Sequence, residues 1–197
     1  MELWKINLDE LDEMKKFLNH ENLNNQFYRR LIIKNIFSLI ESQLFIMREF
    51  LRFLMKNNTY SNKLNLEELI ILSEKAVDLQ TNGKVRPKQK INNFEPFLKF
   101  TFNTSAKVLE HPKLDFGCEE YKKLSKMLKR RNDLTHPKSS EKMLIKDDEI
   151  RDTIDAYSWF LTSCLKITQD HLNNALLLTA GHSACRGLAR LDTEVRI

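Results

Sequence analysis

Two side chains in the second half of the chain have the types and the spacing to act on a phosphate group. They stand five positions apart in the run Arg131-Asn132-Asp133-Leu134-Thr135-His136-Pro137. A guanidinium offers a fixed fork of donors to the non-bridging oxygens, and an imidazole can transfer a proton near neutral pH. For RNA this pair is sufficient without a metal ion. The 2′-hydroxyl attacks the neighbouring phosphorus while the histidine moves a proton and the arginine stabilises the developing charge.

The surroundings of this pair are strongly basic. Residues 121–132 contain six basic side chains and no acid, and the wider segment 84–131 holds 13 Lys or Arg against 5 Asp or Glu. Such a concentration of positive charge favours an anionic partner, usually nucleic acid, although a solvated lysine-rich face is the simpler reading. Charge and proximity predict four phosphate-binding residues, namely Lys126, Lys129, Arg130 and Lys138.

The spacing alone leaves two alternatives open. Arg130 lies six positions before His136 and satisfies a similar offset, so it could take the place of Arg131. His136 could also be no more than a residue at the end of a helix, where its ring interacts with free backbone carbonyls.

Other kinds of site have no signature in the sequence. The phosphate-loop, dinucleotide, zinc-protease and serine-hydrolase motifs are absent, and the five histidines do not cluster as metal ligands. The three cysteines, which are Cys118, Cys164 and Cys185, are far apart and odd in number, and this argues against a disulfide framework or a zinc site. We therefore predict no metal and no cofactor, and a reducing cytoplasm as the location.

The elements that position the pair are predicted to be helices. Only 4 Gly and 4 Pro occur in 197 residues, whereas an all-β chain needs a turn about every ten residues. Apolar spacing and helix-end signals therefore predict an all-α fold. In chain order the elements are a short acidic helix over 8–19, a long helix over 25–57, a helix from the cap Asn65 to Asn82-Gly83, a basic loop over 84–90, helices over 93–110 and 118–134, and a last helix from Asp147.

The ends of the chain complete the predicted organisation. The N-terminus has neither the basic region nor the apolar core of a signal peptide, and no charge-free apolar run approaches about 20 residues, so no membrane segment is expected. Residues 1–178 are predicted to form a single helical domain. The tail over 179–197 changes to a composition rich in Ala, Gly, Arg and Thr, and we assign it no function.

The run from Arg131 to Pro137 resembles the Arg-x(4–6)-His signature of the HEPN superfamily (higher eukaryotes and prokaryotes nucleotide-binding). In that signature an asparagine directly after the arginine is favoured, and Asn132 occupies this position, so the resemblance selects Arg131 over Arg130. The family signature sits between the last two helices of an all-α bundle, as the run does between the last two predicted helices. The specific match covers seven residues, and the helical layout supports it over roughly residues 25–175.

The resemblance implies a fold and an activity. Active members of the superfamily are up-and-down bundles and metal-independent endoribonucleases, often toxins or abortive-infection effectors, and the motifs of two subunits meet across a dimer interface. By this resemblance Arg131 and His136 are catalytic, and Asn132 orients the histidine or binds phosphate. RNA is then the substrate, a homodimer is the active form, and an antitoxin or a nucleotidyltransferase is a candidate partner.

One position departs from the family pattern, and two other functions stay open. Many HEPN toxins that pair with a nucleotidyltransferase carry a tyrosine two residues after the histidine, where this chain has Lys138. Silencing through that tyrosine is therefore not expected. The first alternative is a catalytically inactive HEPN-like module that binds nucleic acid, a nucleotide or a protein partner. The second is a structural adaptor whose interface is the long helix over 25–57.

Overall fold

The computed structural model describes residues 5–6, 9–10, 12–13, 16, 23–56, 62–89 and 93–167. This part of the chain is mostly helical, which confirms the predicted all-α class, and its one β-hairpin was not predicted. The described residues of the N-terminal segment are helical. The apolar side predicted for that segment and the tail over 179–197 lie outside the described residues. No helix of the described residues combines the length and the apolar composition that a membrane crossing requires.

A single long helix organises the bundle. Helix α1 covers Gln26–Lys56, and no Gly or Pro interrupts these 31 residues, as the sequence predicts. Its buried positions recur at helical spacing and supply much of the core, among them Ile33, Ile36, Ile40, Leu44 and Leu51. Removing one such side chain from water contributes about 1.5–3 kcal/mol. The stability of α1 therefore comes mainly from its buried stripe.

The next helix is shorter than the sequence predicts. Helix α2 covers Leu66–Leu72 and begins at the predicted cap Asn65 with a capping box, in which Asn65 and Glu68 exchange hydrogen bonds of 2.8 and 2.9 Å. The helix stops because Glu74 takes a left-handed backbone conformation with φ of 54°. The predicted continuation to Asn82-Gly83 is wrong.

A β-hairpin replaces the rest of that helix and the predicted basic loop. Strand β1 (Lys75–Leu79) pairs antiparallel with β2 (Val85–Gln89). Gly83 N–H donates to the Gln80 carbonyl at 2.9 Å, and Gly83 has φ of 76°. This is a three-residue hairpin loop that ends in a left-handed residue. A left-handed glycine is equally compatible with a helix end and with a hairpin, so Asn82-Gly83 does not distinguish the two in the sequence.

The next two helices agree with the sequence to within one residue at each end, and the last helix begins at the predicted Asp147. Helix α3 covers Phe94–Leu109, with Pro96 in its first turn, and helix α4 covers Glu119–Thr135. After a short 3-10 helix (Glu141–Met143), helix α5 covers residues 147–167. The sulfur of Cys164 lies 3.4 Å from that of Met47, so α5 packs against α1.

Aromatic rings join α5 to both α4 and α3. The ring of Tyr121 lies 5.6 Å from that of Trp159, and the rings of Phe102 and Phe160 meet edge to face at 5.8 Å. Trp159 is partly buried and packs against the core. The other end of α4 is anchored by Leu134, which is buried two residues before His136. Both ends of the helix that carries the motif are therefore fixed.

Candidate functional site

The Arg-His motif lies on the last turn of α4. The backbone N–H of His136 donates to the Asn132 carbonyl at 3.0 Å, so the helical hydrogen-bond pattern continues to His136 and ends there. Pro137 has no N–H with which to extend the pattern. Five positions of helix correspond to about 7.5 Å of rise and to about 140° of rotation. Asn132 thus lies between Arg131 and His136 around the helix.

The predicted catalytic arginine contacts a carboxylate on α1. Its Nη2 atom lies 2.8 Å from Oε1 of Glu41, and its Nη1 atom donates to Oδ1 of Asn132 at 3.3 Å. The side chains of Arg131 and Glu41 are 30% and 44% exposed, so solvent and a ligand can reach both. Glu41 was not predicted. It stands 90 residues before Arg131, and nothing local in the sequence connects the two.

The other two motif residues face solvent. Asn132 and His136 are both exposed. The His136 ring makes no hydrogen bond or ion pair with any residue that the structure describes, so its two nitrogens are accessible. Thr135 lies between them in sequence, and its hydroxyl donates to the Arg131 carbonyl at 2.9 Å. The turn thus presents an arginine, an amide and an imidazole on one accessible helix end.

Arg130 makes entirely different contacts from Arg131. Its Nε atom lies 2.6 Å from Oε1 of Glu149 at the start of α5, and its two terminal nitrogens donate to the carbonyls of Lys142 and Leu144. Its side chain is only 14% exposed. The phosphate contact predicted for Arg130 would require these bonds to break. Arg130 instead ties the segment after the motif to α4.

Carboxylates pair with most of the lysines of α4. Lys126 lies 2.7 Å from Asp152, and Lys123 lies 2.5 Å from Asp155, both acids being on α5. These hydrogen bonds are the main reason that the pKa of each lysine is raised above its ordinary value. A phosphate at Lys126 would have to compete with Asp152.

Two of the predicted phosphate contacts have no such competitor. Lys129 on α4 and Lys138 in the following loop are exposed, and neither forms an ion pair within the described ranges. Together with Arg131 they leave a modest positive surface around the helix end. Of the six basic side chains in 121–132, three pair with acids of α5, and Lys122 and Arg131 pair with Glu119 and Glu41, so most of the predicted positive charge is neutralised.

The candidate site holds no cluster of metal-binding side chains. Within the described residues, no three His, Cys, Asp or Glu side chains are grouped so that they could hold a metal ion. The comparisons with known proteins add no family: no family model, no curated protein and no solved structure matches this chain.

Proposed function

We propose that this chain is a HEPN-type endoribonuclease that needs no metal ion. Arg131 and His136 are its catalytic residues, and Asn132 positions them. The observation that carries the proposal is the accessible end of α4, where Arg131 donates to Asn132 and the His136 ring is free to bind a ligand. The proposed fold is the corresponding HEPN-type bundle.

The chemistry balances with these groups alone. The 2′-hydroxyl oxygen forms a bond to the adjacent phosphorus while the bond from phosphorus to the 5′ oxygen breaks. His136 accepts the 2′-hydroxyl proton and returns a proton to the departing 5′ oxygen. Arg131 donates to the non-bridging oxygens, where negative charge develops. The products are a 2′,3′-cyclic phosphate and a 5′-hydroxyl.

The biological setting of the proposal rests on the family resemblance. The active form is a homodimer in the cytoplasm, in which the motifs of two copies approach each other. RNA is the substrate, and the role is that of a toxin or a defence effector. An antitoxin or a nucleotidyltransferase would be its regulator, without modification of a tyrosine at the position of Lys138.

The test is an RNA-cleavage assay in EDTA with His136→Ala and Arg131→Ala. We expect the wild type to leave 2′,3′-cyclic ends and both variants to lose at least about 100-fold in rate. The matched control is His111→Ala, because His111 also follows a helix and precedes a proline. It should cut like the wild type. Loss of activity in all three variants, or cleavage that survives His136→Ala, would refute the assignment.

One observation favours a second function, that of a binding module without catalysis. Arg131 is already paired with Glu41, whereas Lys129 and Lys138 are exposed and form no ion pair within the described ranges. A chain that had lost activity would still bind nucleic acid, with an affinity that falls as salt rises. In that case the wild type leaves RNA intact, and RNA binding survives His136→Ala.

A further inference from the structure

The β-hairpin carries three exposed cations, two of which have no acidic partner among the described residues. Residues 75–89 contain four Lys or Arg and one Asp. Lys84 and Arg86 are exposed and form no ion pair with any residue in the described ranges. Lys88 is 3.5 Å from Asp78 but remains 65% exposed. On α4, by contrast, Lys122, Lys123 and Lys126 all have carboxylate partners.

The strand register places the hairpin cations together. Arg86 pairs with Asp78, and Lys88 pairs with Ala76. Residues two apart on a strand lie on the same face of a sheet, about 7 Å from each other. Arg86 and Lys88 therefore share one face, with Lys84 at the adjoining loop. Asp78 is the single acid on that face.

The hairpin begins at a rigid point of the bundle. Glu74, directly before β1, lies 2.7 Å from the buried Arg48 of α1, whose guanidinium stacks over the ring of Phe97 at 4.4 Å. Arg52 donates to the carbonyl of Leu72 at 2.8 Å. The base of the hairpin is thus joined to α1.

We propose that this hairpin, residues 75–89, is an RNA-binding arm whose Lys84, Arg86 and Lys88 contact backbone phosphates. That the polyanion is RNA rests on the proposed function. The binding itself rests on the free charge, on the shared face and on the fixed base of the arm. Phosphate contacts would position the strand without reading its sequence.

A competing explanation for these cations is protection of the sheet edges. A two-stranded sheet has two open edges, and lysines and prolines on edge strands prevent pairing with other chains. If this were their whole role, removing the charges would promote association of the protein and leave its RNA affinity unchanged. The two explanations therefore predict different results.

The test measures binding of a labelled 20-nucleotide single-stranded RNA across a salt series, with all proteins carrying His136→Ala so that the RNA stays intact. The triple variant Lys84→Gln, Arg86→Gln, Lys88→Gln should bind at least about ten-fold more weakly at 0.1 M salt. The slope of log K against log salt should become shallower by about 2, because each lost contact with single strands removes about 0.7. Unchanged affinity and slope would overturn the proposal.

The matched control removes three charges from paired lysines elsewhere. Lys63, Lys107 and Lys122 each pair with a glutamate, so Lys63→Gln, Lys107→Gln, Lys122→Gln makes the same change in net charge. This control should bind RNA nearly as the wild type does. An equal loss in both triple variants would mean that only net charge matters, which also overturns the proposal.

A gain of affinity gives a result that misfolding cannot imitate. Asp78→Asn removes the acid from the cationic face and releases Lys88, so RNA should bind more tightly by about two-fold or more and with a steeper salt slope. Unaltered or weaker binding would contradict the proposal.

Cleavage of RNA is measured separately, with proteins that retain His136. Binding that depends on the hairpin, without any cleavage, would refute the ribonuclease but support the RNA-binding arm. Cleavage together with binding that does not depend on the hairpin would support the ribonuclease but refute the arm.

Discussion

Glu41 gives the proposed catalytic arginine an internal partner that a substrate must displace. The carboxylate is 2.8 Å from Nη2 of Arg131, in an ion pair exposed to solvent on both sides. Exposed pairs of this kind contribute about 0–1 kcal/mol. A phosphate can therefore replace Glu41 at little cost, but the carboxylate also repels the approaching anion.

Replacing Glu41 should separate binding from chemistry. In Glu41→Gln the guanidinium is released and one negative charge is removed, so KM for RNA should fall about two- to five-fold, in line with the weak pair. The value of kcat should stay unchanged, because Glu41 takes no part in proton transfer. The measurement is steady-state cleavage of a short RNA. A fall of kcat by ten-fold or more would instead place Glu41 in the chemical step.

At the scale of elements, the sequence predicts those helix bounds that depend on residues close together in the chain. Apolar spacing and prolines set the bounds of α1, α3 and α4, and the capping box at Asn65 set the start of α2. The end of α2 depends on Glu74 and Arg48, which are 26 positions apart, and no local pattern carries that pairing.

In the candidate site, too, local features are predictable from the sequence and contacts between distant residues are not. The arginine, the asparagine and the histidine fall on one helix end, because a helix fixes the relation of residues one to five positions apart. The contact from Glu41 depends on how α1 and α4 pack. The contacts of Arg130 depend on α5 and on the loop before it, and the spacing alone leaves the two arginines as alternatives.

The loop after the motif depends on Arg130, and this leads to a stability prediction. Arg130→Met removes the bonds to Lys142, Leu144 and Glu149, so the free energy of unfolding should fall by about 2–4 kcal/mol. Arg131→Met should lower it by less than about 1 kcal/mol, because only exposed contacts are lost. Urea unfolding of the two variants measures this difference. Equal losses would show that Arg130 does not hold the loop.

At the scale of the whole molecule, α1 exposes apolar side chains beside the site. Phe45 is 41% exposed and lies one helical turn beyond Glu41, the residue that contacts Arg131. Phe27 is also exposed, at 59%, but stands near the beginning of the same helix. The proposed dimer brings the motifs of two copies together, and such an interface would cover Phe45 rather than Phe27.

Charge introduced at these two phenylalanines should therefore have different effects. Phe45→Asp places a carboxylate in the proposed interface, so we expect a monomer and loss of RNA cleavage. Phe27→Asp is the matched control and should remain a dimer with wild-type cleavage. Light scattering coupled to size-exclusion chromatography gives the mass of each. A Phe45→Asp protein that remains dimeric and active would exclude this surface as the interface.

The bonds between the two ends of the described bundle also have a consequence for synthesis on the ribosome. Gln26, Arg29 and Arg30 at the start of α1 bond to the carbonyls of Ile145 and Met143, which are 113 to 119 positions later in the chain. At elongation rates of about 5–20 residues per second, the partner carbonyls are synthesised roughly 6 to 24 seconds after these side chains. The loop that follows His136 therefore acquires its bonds to α1 only after its own carbonyls, 113 to 119 positions beyond their partners, have been synthesised.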